Sequence, residues 1–573
     1  MSTNTQVAEE IVVGRGDPVY MAHAYLTKVP VPAILPFIEA YCPPGGTVAD
    51  PFAGSGMTGV AAIAAGRSVR LSDISVLGRH IGIGYLNLVD PVRLRDAANN
   101  VIKSVEAEVG SLYAVPCESC GREARLSKTV WSAVVECGGC QRPVNYYRAL
   151  EAAEWSKPSM SCPHCRAAIS SKLDRVGEEP LFDYVTCTCS PKQREQPARP
   201  APDLTLDGLD FPRVAITPDR EMYRAQSLGK SGNTTVASFY SARNLHVLVA
   251  LRNQIREVED AALAQKLLFA FTATLTRASK RYQWSRQRPL NAANANYYVA
   301  PVFYEWNVLE LFERKAVAVG RSDGWIRDQA LARGADADRA TGEYVTESAA
   351  ALSLPDDSID YVFTDPPFGS NLFYADMALF QEGWLDGFTD VTQEAVIDRR
   401  AGSRRSASRY EQLLTDALSE CRRVLKPGGR ISMVFGNSSG KVWAVVQRAV
   451  AAAGLKIEPE RIVILNKGQR SVKGLASGFE HVATLDLVLT MVPIENAEAS
   501  FIDPSSEEVA AVGRELVSRD VPTPSHLYLE LLRHALRSGW SVAELDLRTV
   551  THALLDDGWT IEGKTGRLER PAA

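Results

Sequence analysis

The sequence lacks an apolar run long enough to span a bilayer, and its first residues lack the basic-then-apolar pattern of a signal peptide. Only two of its ten cysteines, Cys42 and Cys421, lie outside residues 117–189. Positive charge is not in excess, because 63 Lys and Arg face 68 Asp and Glu, for a net charge of −5. These absences argue against a membrane protein, a disulfide-stapled secreted protein and a protein that is basic all over. We therefore expect a cytoplasmic protein with no membrane partner.

Secondary-structure signals predict one α/β domain that is split by a long insertion. The 573 residues, 46% hydrophobic and 23% charged, are ordinary for a globular chain of several domains. Strand and helix signals alternate on both sides of the insertion, a pattern typical of a doubly wound Rossmann-like sheet. The expected divisions are the first part of the α/β domain at 15–105, a cysteine-rich insertion at 111–200, a mostly helical insertion at 205–345, the second part of the α/β domain at 346–495, and a small helical C-terminal appendage at 500–573.

A glycine turn links the first predicted strand of the α/β domain to an alanine-rich helix. The turn, residues 50–58, reads DPFAGSGMT. Gly54 and Gly56 let a ligand approach the backbone, and the start of the helix offers N–H groups to a carboxylate. Asp73, which ends the next strand, is placed to accept hydrogen bonds from ribose hydroxyls. A dinucleotide is disfavoured because Gly59 comes one residue too early, and a tight turn without a ligand is the alternative.

A second turn follows another predicted strand and consists of Asp365, Pro366, Pro367 and Phe368. The two prolines stiffen the turn and present carbonyl oxygens with no competing N–H. The carboxylate adds an acceptor and the ring adds a stacking surface. The alternative is an ordinary turn at the end of a strand.

Together the two turns resemble the cofactor and catalytic motifs of the amino-methylating DNA methyltransferases. Residues 25–38 also resemble the segment of that family that packs against S-adenosylmethionine, and 425–429 resembles a turn of many enzymes that use this cofactor. The resemblance implies a doubly wound methyltransferase fold that moves a methyl group from S-adenosylmethionine to an exocyclic base amine in double-stranded DNA. It implies cofactor contacts by Lys28, Asp50, Phe52, Gly54, Ser55, Gly56 and Asp73, and catalysis by Asp365, Pro366, Pro367 and Phe368.

The chemistry of such a transfer accounts for the residue types in the second turn. An exocyclic amine is a poor nucleophile because its lone pair is delocalised into the base. Asp365 and the carbonyl of Pro366 can accept both amine hydrogens, and Phe368 can stack on a base flipped out of the duplex. Transfer then proceeds directly, without a covalent intermediate, so Cys42 and Cys421 need no catalytic role.

Eight cysteines form four knuckles in the first insertion. Thiolates at this spacing suit tetrahedral zinc, and eight ligands would fill two sites. Closed four-thiolate sites stabilise a fold and do no chemistry. Sequential and nested pairings are both open, an iron–sulfur cluster is the less favoured alternative, and His164 is surplus to an all-cysteine count. The knuckles are Cys117 and Cys120, Cys137 and Cys140, Cys162 and Cys165, and Cys187 and Cys189.

The order of these motifs sharpens the resemblance. A cofactor motif, an insertion with zinc ribbons and then a catalytic motif is similar to the zinc-ribbon-containing adenine-specific DNA methylases, over most of residues 20–490. This implies adenine N6 as the target, zinc as a second cofactor, and host modification or phage defence with restriction or defence-system proteins as partners. Two departures are Phe368, where tyrosine is commoner, and the short Cys187-x-Cys189 spacing, which puts the last zinc corner in doubt.

Two arginine-containing stretches are candidates for phosphate contact. A solvated loop is the alternative for the first, and an arginine-rich domain interface is the alternative for the second, in which aromatic residues are interleaved. By position, the two insertions are the best candidates for the region that recognises the target sequence. The arginines are Arg399, Arg400, Arg404 and Arg405 in the first stretch, and Arg286 and Arg288 in the second.

Three other functions fit the sequence less well. Cytosine N4 methylation uses the same motif, but Asp365 favours adenine because serine is commoner there in the cytosine enzymes. Some enzymes that methylate exocyclic amines of RNA also carry a DPPF turn. A non-catalytic zinc-ribbon DNA-binding subunit would have no need for Asp50, Gly54 and Gly56 together with Asp365.

Overall fold

The α/β class predicted from the sequence is confirmed by a computed structural model. It describes residues 7–14, 16–286, 297–369, 372–398, 405–467, 485–495, 501–518, 523–562 and 567–569. No helix among these residues has the length and apolar character needed to cross a membrane.

The strands are β1 Glu10–Val12, β2 Thr47–Asp50, β3 Ser68–Asp73, β4 Ala114–Pro116, β5 Glu123–Glu136, β6 Pro143–Asn145, β7 Arg175–Cys187, β8 Ser190–Pro197, β9 Val302–Trp306, β10 Gly342–Thr346, β11 Ile359–Thr364, β12 Leu425–Phe435, β13 Leu455–Asn466, β14 Asp486–Pro493, β15 Thr560–Ile561 and β16 Leu568–Glu569. The α-helices are α1 Pro18–Ala22, α2 Val31–Tyr41, α3 Met57–Ala64, α4 Val76–Leu86, α5 Pro91–Val109, α6 Tyr146–Ala152, α7 Glu221–Ala225, α8 Leu228–Ser231, α9 Ala242–Arg256, α10 Ala261–Ala278, α11 Val308–Ala332, α12 Tyr374–Glu382, α13 Ala407–Val424, α14 Gly440–Ala452, α15 Ser506–Ser518, α16 Pro524–Arg537 and α17 Leu547–Asp556. Short 3₁₀ helices lie at Gly110–Tyr113, Lys157–Ser159, Ala237–Phe239 and Ala337–Arg339.

The large sheet has eight strands in the order β1-β13-β14-β12-β11-β2-β3-β10. All pairings are parallel except those of β14, which runs antiparallel to β12 and β13. From β2 the chain proceeds outward to β3 and later returns to β11 on the other side, so the strand order reverses between β2 and β11. Ligands of open α/β sheets bind beyond the carboxyl ends of the strands at such a switch point. Both predicted motif turns begin there.

Alternating residues of these strands bury against two separate cores, which is why the sheet is covered on both faces. Val48 and Phe363 point into the core formed with α2, α3 and α4. Val362 and Leu487 point into the core formed with α13, α14 and α16. The sheet is therefore doubly wound.

The helical insertion shares a core with the α/β sheet. Helices α9, α10 and α11 bury apolar side chains in the same cluster as α3, α4 and α5. A fully buried ion pair lies among them, with Lys266 Nζ of α10 at 2.8 Å from a carboxylate oxygen of Asp323 in α11 and 2.6 Å from the carbonyl oxygen of Gly84 in α4. The large sheet also gains β10, which pairs with β3, so the sheet resumes within the segment 205–345 that the sequence indicates as mostly helical.

The cysteine-rich insertion forms a second sheet, in which β5 and β7 pair as a long antiparallel ribbon. The short strands β4, β6, β8 and β9 complete it. Strand β9 pairs with the middle of β5 and leads directly into α11, which ties the ribbon to the helical core. The sequence of this region shows little periodicity, since three register shifts interrupt the β5–β7 pairing and break the alternation of apolar and polar residues.

The C-terminal appendage contains α15, α16 and α17 followed by the β15–β16 hairpin. Helix α16 contributes buried residues to the same core as β13 and β14. The appendage therefore combines three helices with a short antiparallel pair of strands.

Candidate active site

Asp50 joins the ends of the two central strands. Its Oδ1 accepts hydrogen bonds from Thr364 Oγ1 at 2.8 Å and Phe52 N at 3.1 Å, and its Oδ2 accepts one from Thr58 Oγ1 at 2.6 Å. Burial raises the pKa of Asp50 to about 7. Because Thr364 ends β11 and Thr58 lies in α3, this carboxyl group fixes the first turn relative to the second.

The first turn requires glycine at two positions. Gly54 has φ +47° and Gly56 has φ +80°, both in the left-handed region that favours glycine. A Cβ atom at Gly56 would lie 2.9 Å from the Cα atom of Gly82 in α4. A Cβ atom at Gly54 would lie 3.2 Å from the ring of Tyr25. The turn is therefore packed tightly between α4 and the segment that precedes α2.

Asp73, at the end of β3, accepts hydrogen bonds from backbone N–H groups. Its Oδ2 lies 2.9 Å from Gly54 N, and its Oδ1 lies 2.9 Å from Ser75 N. Burial raises the pKa of Asp73. A carboxylate offers about four acceptor positions, so this group retains capacity for a ligand while it holds the glycine turn in place.

Lys28 lies in the wall of the site, but its ammonium group points into the protein. It donates hydrogen bonds to the hydroxyl of Tyr85 at 3.2 Å, to the carbonyl of Tyr20 at 3.3 Å and to the carbonyl of His23. Burial lowers the pKa of Lys28 to about 7. In the structure this side chain shapes the segment that carries Tyr25, and its predicted contact with a cofactor stays a prediction.

Asp365 follows β11 and is half-buried. Among the residues that the structure describes, none donates a hydrogen bond to its carboxylate. Burial raises the pKa of Asp365 to about 7, and the ammonium of Lys467, itself paired with Asp486, offsets part of that increase. This carboxylate is therefore an available acceptor, in contrast to that of Asp50.

Two side chains that we did not single out in the sequence hold the second turn. Tyr410 of α13 donates its hydroxyl to the carbonyl oxygen of Pro367 at 2.6 Å. Asn437, just after β12, donates its amide to the carbonyl oxygen of Phe368 at 2.7 Å. The ring of Phe368 packs against Phe435, with 5.0 Å between centroids. Of these two residues, only Asn437 could have been noticed in the sequence, because it is a polar residue at the carboxyl end of a buried strand.

Both turns open onto one cavity, whose empty volume is about 1030 Å³ including the part open to solvent. Gly56, Pro366 and Phe368 belong to the two turns but do not line it. Tyr25, Tyr374 and Glu394 are further wall residues. The predicted site residues that do line it are Lys28, Asp50, Phe52, Gly54, Ser55, Asp73, Asp365 and Pro367.

The arginine stretch after the second turn is described only in part. Arg399, Arg400 and Arg404 lie outside the described residues. The guanidinium of Arg405 forms ion pairs with Glu394 at 2.8 Å and Asp398 at 3.3 Å. Arg405 therefore braces the cavity wall through Glu394, and its predicted contact with nucleic acid stays a prediction.

The second basic stretch divides between interior and surface. Lys280 pairs with Glu178 at 2.7 Å, and Arg281 is buried with its guanidinium 4.8 Å from the ring centre of Phe380. Arg286 is exposed and lies over the ring of Trp155 at 5.0 Å. Arg288 lies outside the described residues. Part of this stretch is thus a packing interface, and among its described residues Arg286 faces solvent.

The cysteine knuckles pair in a nested order. The first and fourth knuckles form one four-sulfur group, and the second and third form another, at opposite ends of the β5–β7 ribbon. Ligand atoms within each group all lie within 4.8 Å of one another. His164 belongs to neither group. The groups are Cys117, Cys120, Cys187 and Cys189, and Cys137, Cys140, Cys162 and Cys165.

The sulfur spacing in both groups fits a tetrahedral metal ion. Zinc–sulfur bonds of about 2.3 Å place the corners of a tetrahedron about 3.8 Å apart. In the first group Cys117 Sγ lies 3.7 Å from Cys189 Sγ. In the second group Cys137 Sγ lies 3.5 Å from Cys165 Sγ, and Cys140 Sγ lies 3.8 Å from Cys162 Sγ. The short Cys187-x-Cys189 knuckle therefore supplies two of the four sulfur ligands of the first group.

Comparison with known proteins gives a match at the N-terminal part of the chain. A family model for N6 and N4 methyltransferases, described as DNA methylase, matches residues 5–88. This supports a DNA methyltransferase of the N6 or N4 kind, and the matched segment holds the glycine turn and Asp73 but not the second turn. No curated protein matches the chain. A crystal structure described as a SAM-dependent methyltransferase from Methanosarcina mazei matches at 13% identity over 27% of this chain and 69% of that chain, with a TM-score of 0.16.

Proposed function

We propose that this protein transfers a methyl group from S-adenosylmethionine to N6 of adenine in double-stranded DNA. The observation that supports it most is that the Asp365 carboxylate, which accepts no hydrogen bond from the described residues, opens onto the same cavity as the glycine turn 50–58. The DNA methylase match over residues 5–88 supports the substrate class independently.

The donor set around the glycine turn fits S-adenosylmethionine. Helix α3 begins at Gly56 without a side-chain cap, so its first N–H groups are available to a carboxylate. Asp73 retains acceptor positions for ribose hydroxyls, and Tyr25 supplies an aromatic wall. When bound, this cofactor supplies a methyl group that is already activated by its sulfonium. The protein must then align the acceptor amine and keep water out.

Asp365 and the Pro366 carbonyl are the groups that would orient the amine. By accepting its two hydrogens, they would turn the nitrogen lone pair away from the ring and toward the methyl donor. The anchors on Pro367 and Phe368 hold the turn so that these acceptors are in place before the base arrives. The half-buried ring of Phe368 would stack on the flipped base.

The two four-cysteine groups support a proposal of two structural zinc ions. The donors are all thiolates in closed tetrahedral sets, which leaves no open coordination position for chemistry. Zinc at either end of the β5–β7 ribbon would fix the turns of a sheet whose pairing is interrupted by bulges. We therefore propose that 111–200 is a zinc-ribbon insertion within the methyltransferase domain. The proposed setting, host modification or phage defence, rests on the family resemblance alone.

The test is nucleoside mass spectrometry of DNA and RNA incubated with the purified protein and S-adenosylmethionine. N6-methyladenine in DNA, absent with an Asp365→Ala variant that still binds the cofactor, is the expected result. N4-methylcytosine would keep the site chemistry and change the base, and product in RNA alone would overturn the choice of DNA. No product with cofactor bound would point to a binding subunit.

A further inference from the structure

The two faces of the β5–β7–β9 sheet differ in character. On one face, Thr129 donates to Asp183 at 2.7 Å, and Glu305 contacts Ser241 and Arg243 of the α9 region. That face is turned toward the helical core. Buried residues on the opposite face belong to a separate cluster, and Trp306 packs against both this cluster and the core that contains α9, α10 and α11. The sheet therefore has a second face, whose side chains form a hydrophobic cluster of their own.

Aromatic rings dominate this second face, which we call the aromatic face. In the register of the sheet, Tyr184 and Trp306 lie on either side of Lys128, and Tyr304 lies two pairs further along, opposite Val130. The rings continue toward the second cysteine group through contacts of 5.4 to 5.9 Å between centroids. The rings that define the face are Tyr147, Trp155, Tyr184, Trp284, Tyr304 and Trp306.

Cations lie over these rings. Lys128 Nζ is 4.4 Å from the ring centre of Tyr184 and 4.8 Å from that of Trp306. Arg286 is 5.0 Å from the ring centre of Trp155. Neither Lys128 nor Arg286 forms an ion pair with a carboxylate of the described residues. The carboxylates of Glu195 and Glu310 attract the ammonium of Lys128 without forming an ion pair with it. Both cations also interact with the aromatic quadrupoles beneath them, and neither is held in a contact that would keep it from binding an anion.

Other cations extend the positive surface. Arg314 lies 5.7 Å from the ring centre of Trp306, and Arg148 lies 6.0 Å from that of Tyr147. These two are exposed and are paired with Glu310 and Glu151. The rings of Trp155, Trp284 and Trp306 are only half-buried. Positive charge interleaved with half-exposed indoles is the combination that binds a nucleic-acid strand, through phosphates and through bases.

The aromatic face begins close to the candidate active site. Arg281 lines a small pocket together with Tyr25 and Tyr374, and both tyrosines also line the main cavity. Trp284 and Arg286 are three and five residues further along the chain. Five residues span at most about 18 Å, which is about the length of five base pairs of duplex at roughly 3.4 Å each.

We propose that the aromatic face binds the DNA that flanks the target base. This inference rests on the proposed function and deepens it by naming a substrate-binding surface. Lys128 and Arg286 bind phosphates. The half-exposed indoles stack on bases that lose their neighbours when the target is flipped out.

The test is the affinity of the full chain for a fluorescent duplex of about 30 base pairs, measured by anisotropy over a range of salt concentrations. The combined Lys128→Gln and Arg286→Gln variant should bind about tenfold more weakly near physiological salt, and its salt slope should fall by about two. Lys128→Arg keeps the charge and should restore that part of the affinity. Arg339→Gln removes an exposed charge from the loop before β10 and is the matched control.

The outcomes of this experiment distinguish DNA binding by the aromatic face from methyl transfer in the candidate active site. If the combined variant and Arg339→Gln bind DNA with the same affinity and the same salt slope, the aromatic face is not a DNA-binding surface, even if the protein methylates DNA. Weaker DNA binding with unchanged cofactor binding would support it, even if no methylated base is formed. Weakening confined to RNA would overturn the choice of DNA as the occupant.

Discussion

The hydroxyl of Tyr410 donates a 2.6 Å hydrogen bond to the carbonyl oxygen of Pro367. Tyr410 is buried in α13, more than forty positions after the turn that it holds. Prolines have no N–H to anchor them, so the turn at Asp365 depends on bonds to its carbonyl oxygens. This contact and the bond from Asn437 to Phe368 supply them from two different elements.

A Tyr410→Phe variant should therefore lose activity without losing the cofactor. Removing one buried hydrogen bond costs about 1 kcal/mol of stability, while loosening the catalytic turn should lower kcat about tenfold or more, because small misplacements of reacting groups are costly. Tyr528→Phe is a matched control, since its hydroxyl also donates to a backbone carbonyl, that of Leu545 at 3.0 Å in the C-terminal appendage. Equal kcat values for the two variants would mean that Tyr410 is only structural.

Replacement of Asp365 by Asn should reduce the methylation rate by about 10² to 10³, the range seen when a preorganised hydrogen-bonding group is lost. The amide oxygen can still accept one amine hydrogen, but it lacks the negative charge that strengthens the hydrogen bond of a carboxylate. Cofactor affinity should stay within about twofold, which calorimetry would measure. Asp356→Asn, an exposed position before β11, should leave both quantities unchanged. Normal turnover by the Asp365→Asn variant would remove this residue from the mechanism.

The pH dependence of methylation should report the same carboxyl group. Burial raises the pKa of Asp365 to about 7, so the group is largely protonated below that pH and ionised above it. The ionised form is the stronger acceptor of an amine hydrogen, because it carries a full negative charge. We expect kcat/KM to rise with pH and level off above an apparent pKa near 7. Burial also raises the pKa values of Asp50 and Glu394 to about 7, so the pH dependence of the unmodified protein does not by itself identify the group. The residual activity of Asp365→Asn does, because its kcat/KM should no longer rise with pH if Asp365 is the group that titrates.

The parts of the site that could be predicted are those that are contiguous in sequence. The turns at 50–58 and 365–368 each carry their glycines, prolines and carboxylates within a few residues, and each follows a short apolar strand. Tyr410 could not be found this way, and Asn437 only by its place after a buried strand, since the partners of both lie far away in the chain. Nothing local distinguishes a tyrosine that holds a turn from one that only fills a core.

Side-chain direction and sheet register were also beyond local patterns. Lys28 and Arg405 are near the cavity as expected, but their charges are used inside the protein. The strands β5 and β7 contain bulges, which shift residues between faces and hide the period of two. The pairing of the cysteine knuckles follows from that ribbon, since it sets which turns meet at each end.

The buried ion pair between Lys266 and Asp323 predicts a specific pattern of stability. Lys266→Met would leave the Asp323 carboxylate buried and unpaired, at a cost of about 3–5 kcal/mol. Lys266→Met with Asp323→Leu should recover much of this loss, although the N–H of Val89 then loses its acceptor. Denaturant unfolding would measure both. The exposed pair of Arg93 and Asp260 is the control, because Arg93→Met should cost less than about 1 kcal/mol.

The nested arrangement of the cysteines predicts how many zinc ions each variant holds. Native mass spectrometry of the intact chain should find two zinc ions, and Cys117→Ser should leave one. Adding Cys187→Ser removes a second ligand from the same group, so one ion should remain.

Combining Cys117→Ser with Cys137→Ser instead removes a ligand from each group, so no tightly held zinc should remain. A sequential arrangement reverses these two results, because Cys117 and Cys137 would then share one site. The double variants therefore distinguish the two arrangements by counting metal alone, whatever the activity of the protein. Two ions in every variant would show that the thiolates of these knuckles are not the ligands, since loss of one of four ligands weakens a closed site severely.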